Sequence, residues 1–113
     1  MSVSVNKVIL VGNVGTAPEA SATKAGKSVA NFSVATQGFK DDETTWHKVV
    51  VWDKLADSCV KYLAKGRQVY VEGRIQNRTF EGKNGDTKYI TEIVANEVKF
   101  LGAPTKDTEE QPF

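Results

Sequence analysis

One change of period constrains this chain more than any other feature. "TWHKVVVW" (45–52) reads as a strong strand, and the pattern then turns helical. Over 53–65, Leu55, Cys59, Tyr62 and Leu63 fall on one helical face; Asp53 stands where an N-cap is expected and Gly66 where a helix stops. Strand pattern resumes with "QVYVEGRIQNRTF" (68–80). The chain must therefore accommodate one helix between its third and fourth strands.

The remaining segments fill in around that helix. "VILVGNV" (8–14) is a short β-branched run interrupted by Gly12. Residues 15–28 are rich in Gly, Ala, Ser, Thr and Lys and predict a loop or hairpin. Ala30, Phe32 and Val34 then alternate with Asn31, Ser33 and Ala35, the period of a half-buried strand with Phe32 on the core side. "QGFKDDE" (37–43) is a polar loop, "EGKNGD" (81–86) a hairpin tip, and "TKYITEIVANEVKFL" (87–101) the last strand. Three strands, a helix and two strands predict an all-β domain with one helix. This is the OB-fold, a five-stranded Greek-key barrel whose face binds oligonucleotides. An SH3-like barrel, the main competitor, has no obligatory helix at that position. A chain of 113 residues holds one such domain. It is placed at 1–102, with 103–113 a flexible tail without periodicity.

Charge is uneven along the chain. Residues 1–102 carry 14 Lys/Arg against 11 Asp/Glu, and 103–113 carry one Lys against three acids. A mildly basic body with an acidic end suggests a polyanionic partner. Cys59 is the only cysteine and His47 the only histidine, so neither an intramolecular disulfide nor a metal set of usable spacing is expected. The chain shows no signal-peptide pattern and no apolar run of transmembrane length, which predicts a soluble protein of the reducing cytoplasm. "AGKSV" (25–29) imitates a P-loop, but Ser21 stands where that motif needs Gly. With no nucleophile motif and no carboxylate pair on a recognisable scaffold, the chain reads as a binding protein without a cofactor.

Parity sorts the third and fourth strands into faces. Trp46, Lys48, Val50 and Trp52 share one side, against His47, Val49 and Val51 on the other. In the fourth strand Val69, Val71, Gly73 and Ile75 read as inward, while Arg74, Gln76, Arg78 and Phe80 read as outward. Aromatic strand residues are ordinarily core. What separates Trp46, Trp52 and Phe80 from Phe32 is company, because each shares its side with Lys or Arg. Rings alternating with cations suit single-stranded nucleic acid, whose free bases stack on the rings while Lys and Arg follow the phosphates.

"VNKVILVGNVG", "VANFSVAT", "TTWHKVVVWDKLA", "YLAKGRQVYVEGRI" and "KYITEIV" resemble, in order and in register from Val5 to Leu101, the blocks of the bacterial-type single-stranded DNA-binding protein family, SSB. The resemblance implies stacking of bases on Trp46, Trp52, Phe80 and Phe39, with aromatic swaps at Trp52 and Phe80. It implies phosphate contacts at Lys7, Lys48, Lys54, Lys65, Arg74, Arg78 and Lys88; parity independently selects Lys48, Arg74 and Arg78. It also implies a subunit contact at His47 and assembly as a homotetramer, with a dimer as the fallback. The expected role is protection and organisation of single strands in replication, recombination and repair.

The ending "KDTEEQPF" fits the same family, whose acidic, Pro-Phe-terminated tip docks on replication and repair proteins. Asp107, Glu109, Glu110, Pro112 and Phe113 carry that resemblance, with glutamates in place of the usual aspartates. Eleven residues after Gly102 reach roughly 40 Å when extended, so the tip is expected to stay near its own barrel. Two rival readings share the fold: a primosome-type OB adaptor, against which the Pro-Phe tip argues, and a cold-shock-type RNA module, which would lack the "TTWHKVVVW" block.

Overall fold

The computed structural model describes residues 3–40 and 43–101. Strands β1 (Val8–Ala22), β2 (Ser28–Gln37) and β3 (Thr44–Trp52) precede helix α1 (Asp53–Tyr62), and β4 (Gln68–Glu81) and β5 (Thr87–Leu101) follow it. They close into a barrel in the order β1-β2-β3-β5-β4, with β4 paired back to β1. Every pairing is antiparallel except β3 with β5, where Val49 lies opposite Ile93 and Val50 opposite Val94. This is the OB arrangement predicted from the element order. The tail 103–113, with Asp107, Glu109, Glu110, Pro112 and Phe113, lies outside the described residues.

The core is built from the inward parity of the strands. Val14, Phe32, Val34, Val49, Val51, Val69, Val71 and Ile93 pack with Ala56, Cys59 and Leu63 of the helix side. β-branched residues suit this half-buried surface, because their stiff side chains fill the pleat without losing rotamer freedom. Phe32 is a core ring at 3 % exposure, as its apolar company predicted.

Four local expectations are corrected. First, β1, expected to end at Val14, continues to Ala22, so the segment read as a loop or hairpin takes the hairpin form. Its small polar residues show no apolar alternation, yet their backbones pair with β2, Glu19 opposite Asn31 and Ala22 opposite Ser28. Register breaks on either side of Thr16 let this strand bend from β4 across to β2. Second, α1 ends at Tyr62, and Leu63 N–H closes it on Cys59 O. Gly66, at φ +92°, belongs to the following turn. Third, Asp53 does not cap the helix. The N-cap position is Trp52, with no side-chain cap, and Asp53 is the left-handed residue (φ 58°) at which strand turns into helix. An Asp side chain tolerates that conformation better than most.

The fourth correction concerns side-chain placement. Tyr62, expected on the helix's apolar face, is exposed and leans on Phe100, while Ala56, not expected there, is buried with Cys59 and Leu63. Ile75, predicted inward, is 47 % exposed. β4 holds inward parity only as far as Gly73, where β5 carries an extra residue and the ladder shifts register. Beyond that bulge β4 parts from β1, and past Ile93 β5 parts from β3, so the two strands run on as an arm and inward parity on β4 no longer means core. Gly73 is required there, since a Cβ would meet the backbone of Val94 and Ala95.

Candidate nucleic-acid interface

The outward residues of β3, β5 and β4 form one surface. Because β5 lies between β3 and β4, the predicted groups reach each other across its outward residues Lys88, Ile90, Glu92 and Val94. On β3, Trp46 is 62 % exposed and Trp52 39 % exposed, with Lys48 between them in sequence and exposed as well. Val50, of the same parity, is buried beneath its larger neighbours. On β4, Arg74, Arg78 and Phe80 are exposed, and Lys88 stands directly opposite Phe80 on the arm. Rings and cations predicted from parity therefore occupy a common face.

Trp46 has its place because of a glycine. A Cβ at position 15 would run into the Trp46 ring edge and Ser33 Oγ, so Gly15 lets the indole lie across β1. Thr16 Oγ1 and Ser33 Oγ share a hydrogen bond of 3.0 Å beside it. The β2 side of the surface thus carries Asn31 and Ser33, and a cleft lined by both, with Phe32 and Lys48, opens there. Neither polar residue was singled out from the sequence, although their alternation with Phe32 carried the signal.

The remaining cations are dispersed. Lys7 is paired with Glu72 at 3.4 Å, and Tyr70 donates a 2.8 Å hydrogen bond to the same carboxylate. That hydrogen bond raises the Tyr70 pKa and, as the chief influence on Glu72, lowers the carboxyl's. Lys54 is exposed on the first turn of α1, next to Trp52 in the direction of the helix. Lys65 is exposed in the turn whose Gly66 N–H bonds Val14 O at 2.8 Å. Phe39 is fully exposed in the β2–β3 loop, where Gly38 N–H meets Glu43 O at 2.6 Å. The structure brings together Trp46, Lys48, Trp52, Arg74, Arg78, Phe80 and Lys88, and Lys7 shares a cleft with Arg74; it does not bring Lys65 or Phe39 into contact with them.

His47 points the other way from the tryptophans. It is half-buried, shares a 2.9 Å hydrogen bond with Thr36 Oγ1, and lines a cleft of about 320 Å³ with Val8, Leu10 and Ile75. Burial lowers its pKa below the ordinary 6.5. Cys59 is fully buried under the helix, its thiol pushed up to about 11 by burial. Among the described residues no group of three His, Cys, Asp or Glu could hold a metal ion, and no helix is long and apolar enough to cross a membrane.

Two features of the surface escaped the sequence. Tyr89 is 80 % exposed on the arm, opposite Thr79 and on the reverse side from Phe80. Glu92 is a buried acid in the middle of a basic face, 3 % exposed and paired with Arg78 Nε at 2.6 Å. Only its outward parity within "TEIVAN" marked it.

Comparison with known proteins agrees with this geometry. The model of the single-strand binding protein family matches residues 5–101. Single-stranded DNA-binding protein 1 of Chlorobaculum tepidum is 50 % identical over 111 residues, covering 91 % of this chain and 68 % of that one. The single-stranded DNA-binding protein of Neisseria meningitidis serogroup A is 42 % identical over 117 residues, covering 97 % and 67 %. The chain thus spans about two thirds of the length of these curated relatives. Among solved structures, a Plasmodium falciparum SSB complex with ssDNA superimposes with a TM-score of 0.79 at 39 % identity, covering 89 % of this chain and 98 % of that one.

Proposed function

The chain belongs to the single-strand binding protein family, and on that premise we propose that it binds single-stranded DNA with little base preference overall, protecting and organising exposed strands in replication, recombination and repair. It acts by binding and not by catalysis. The observation that carries this reading is the exposed ring-and-cation face of Trp46, Lys48, Trp52, Arg78 and Phe80. Large rings left in water on strands suit stacking with bases, and duplex bases, already stacked on one another, cannot use them. Lys48, Arg74, Lys88 and the outer guanidinium nitrogens of Arg78 would follow the phosphates, with Lys54 at the edge. Phe39, isolated on its loop, would meet DNA that extends past the barrel face.

Assembly as a homo-oligomer, a tetramer by family likeness, belongs to the same proposal. The cleft of His47, Val8, Leu10 and Ile75, which Trp46 and Lys48 also line, is mostly apolar, which suits a subunit contact bordering the stacking face. Recruitment of replication and repair proteins is assigned to the acidic tip with Pro112 and Phe113. A basic rim on the partner would attract the acids, and a pocket would take the ring and carboxylate.

Alanine substitution tests the stacking face. Trp46→Ala and Phe80→Ala are each expected to weaken binding to a thymidine oligonucleotide by about 1–3 kcal/mol. Phe32→Ala, in the core, is expected instead to cost about 3–5 kcal/mol of folding stability. Unchanged affinity in both surface variants would remove the stacking role.

A further inference from the structure

Beside Trp52 the surface sinks into a cleft of about 370 Å³, and its walls are polar where a pure stacking platform would need only rings and cations. Val29, Val50 and Trp52 form the apolar side; Asn31, Gln76, Arg78 and Glu92 form the rest. The strand register explains the grouping. Asn31 lies opposite Val50 across β2 and β3, and Gln76 lies opposite Glu92 across β4 and β5.

Glu92 is the unexpected member. A carboxylate beneath a DNA-binding surface repels phosphate and is costly to bury. Arg78 answers one oxygen, Nε to Oε1 at 2.6 Å, with Gln76 Nε2 at a weak 3.5 Å from the same atom. The other oxygen, Oε2, is buried with no hydrogen-bond partner among the described residues. An unanswered buried acceptor is a standing free-energy cost of a kind that native proteins rarely leave without a use.

The polar groups around it are arranged with fixed sense. With its amide nitrogen turned toward Glu92, Gln76 directs its carbonyl oxygen elsewhere. Arg78, held through Nε, keeps its two terminal nitrogens for another partner and remains half exposed. The carboxylate makes this cleft unfavourable for phosphate and favourable for an N–H edge. A base stacked against Trp52 is the ligand that can bring one.

Resting on the reading of the chain as a single-strand binder, we propose that the Trp52 cleft is a base-reading subsite. One stacked base there turns its edge to Asn31, Gln76 and Glu92, and bases with an exocyclic amino group are favoured. Cytosine offers N4–H₂ to the carboxylate, an acceptor that reads this group in other nucleic-acid complexes. Thymine offers a carbonyl oxygen at the same place and sets acceptor against acceptor.

The test compares deoxycytidine and deoxythymidine homo-oligonucleotides of equal length, two pyrimidines with little self-stacking, by equilibrium binding to the full chain. In Glu92→Gln the amide can serve either base, so the affinity ratio of cytidine to thymidine oligomer should fall by roughly threefold or more, about the net worth of one hydrogen bond. Asn31→Asp, which puts an acceptor-only group at an exposed position of the same cleft, should raise the ratio and carries the test if loss of the buried acid unfolds the barrel. Circular dichroism establishes folding of each variant. An unchanged ratio in the folded variants, with binding retained, would overturn the subsite. Wild-type protein that bound neither oligonucleotide would instead overturn the single-strand reading, and the subsite with it.

Discussion

Trp46 and His47 are chain neighbours with opposite surroundings, and the contrast follows from the two-residue period of β3. Trp46 lies in the open across Gly15, while His47 turns toward a half-buried cleft and Thr36. This parity was legible in the sequence for Trp46, Lys48, Trp52, Arg74, Arg78 and Phe80, because alternation in a strand leaves only two sides. It failed for Glu92, since parity gives direction and not depth, and larger neighbours cover an outward acid. His47 provides a pH test. Burial holds its folded pKa below 6.5, so the unfolded chain binds more protons as the pH drops below that value. Stability from this group is therefore present above pH 6.5 and is lost as pH falls through the folded pKa. Urea melts should show wild type losing stability from pH 7.5 toward pH 5, with a shallower loss in His47→Gln. Parallel slopes would mean that the imidazole does not carry this linkage.

At the scale of elements, the departure of β4 and β5 from the barrel decides what the face can reach. Gly73 sits at the register shift, and Asn6 secures the strand just beyond it. The Asn6 amide donates to Ile75 O at 2.8 Å, and its carbonyl oxygen accepts from Ile75 N–H at 2.9 Å. One side chain thus supplies both ladder bonds where β1 has not yet begun. Gly73→Ala is expected to destabilise the fold by about 1–3 kcal/mol, because the new Cβ meets backbone rather than a movable side chain. Chemical denaturation measures it, and wild-type stability would contradict the close packing. Element order, including the helix between β3 and β4, was legible from period alone. The second half of β1 was not, because backbone pairing without buried side chains leaves no hydropathy pattern. Ile75 was misplaced for a related reason: parity holds along a strand, but the barrel does not extend as far as the strand does.

The whole molecule combines a valine-rich barrel with one surface of rings and cations, at a net charge of only +1. With so little overall charge, attraction to a polyanion must come from local contacts. Each phosphate contact on a single strand should add about 0.7 to the slope of log affinity against log salt. Lys48→Ala should therefore lower that slope by roughly this amount, as read from titrations at several salt concentrations; an unchanged slope would take Lys48 off the backbone path. The central claim is that bases stack on the exposed indoles, and intrinsic tryptophan fluorescence reports on that contact directly. Both tryptophans of the chain lie on the proposed face. Adding a thymidine oligonucleotide should quench the emission to a saturating plateau, while the same concentration of duplex should leave it nearly unchanged. Absence of quenching by the single strand, or equal quenching by the duplex, would contradict the account.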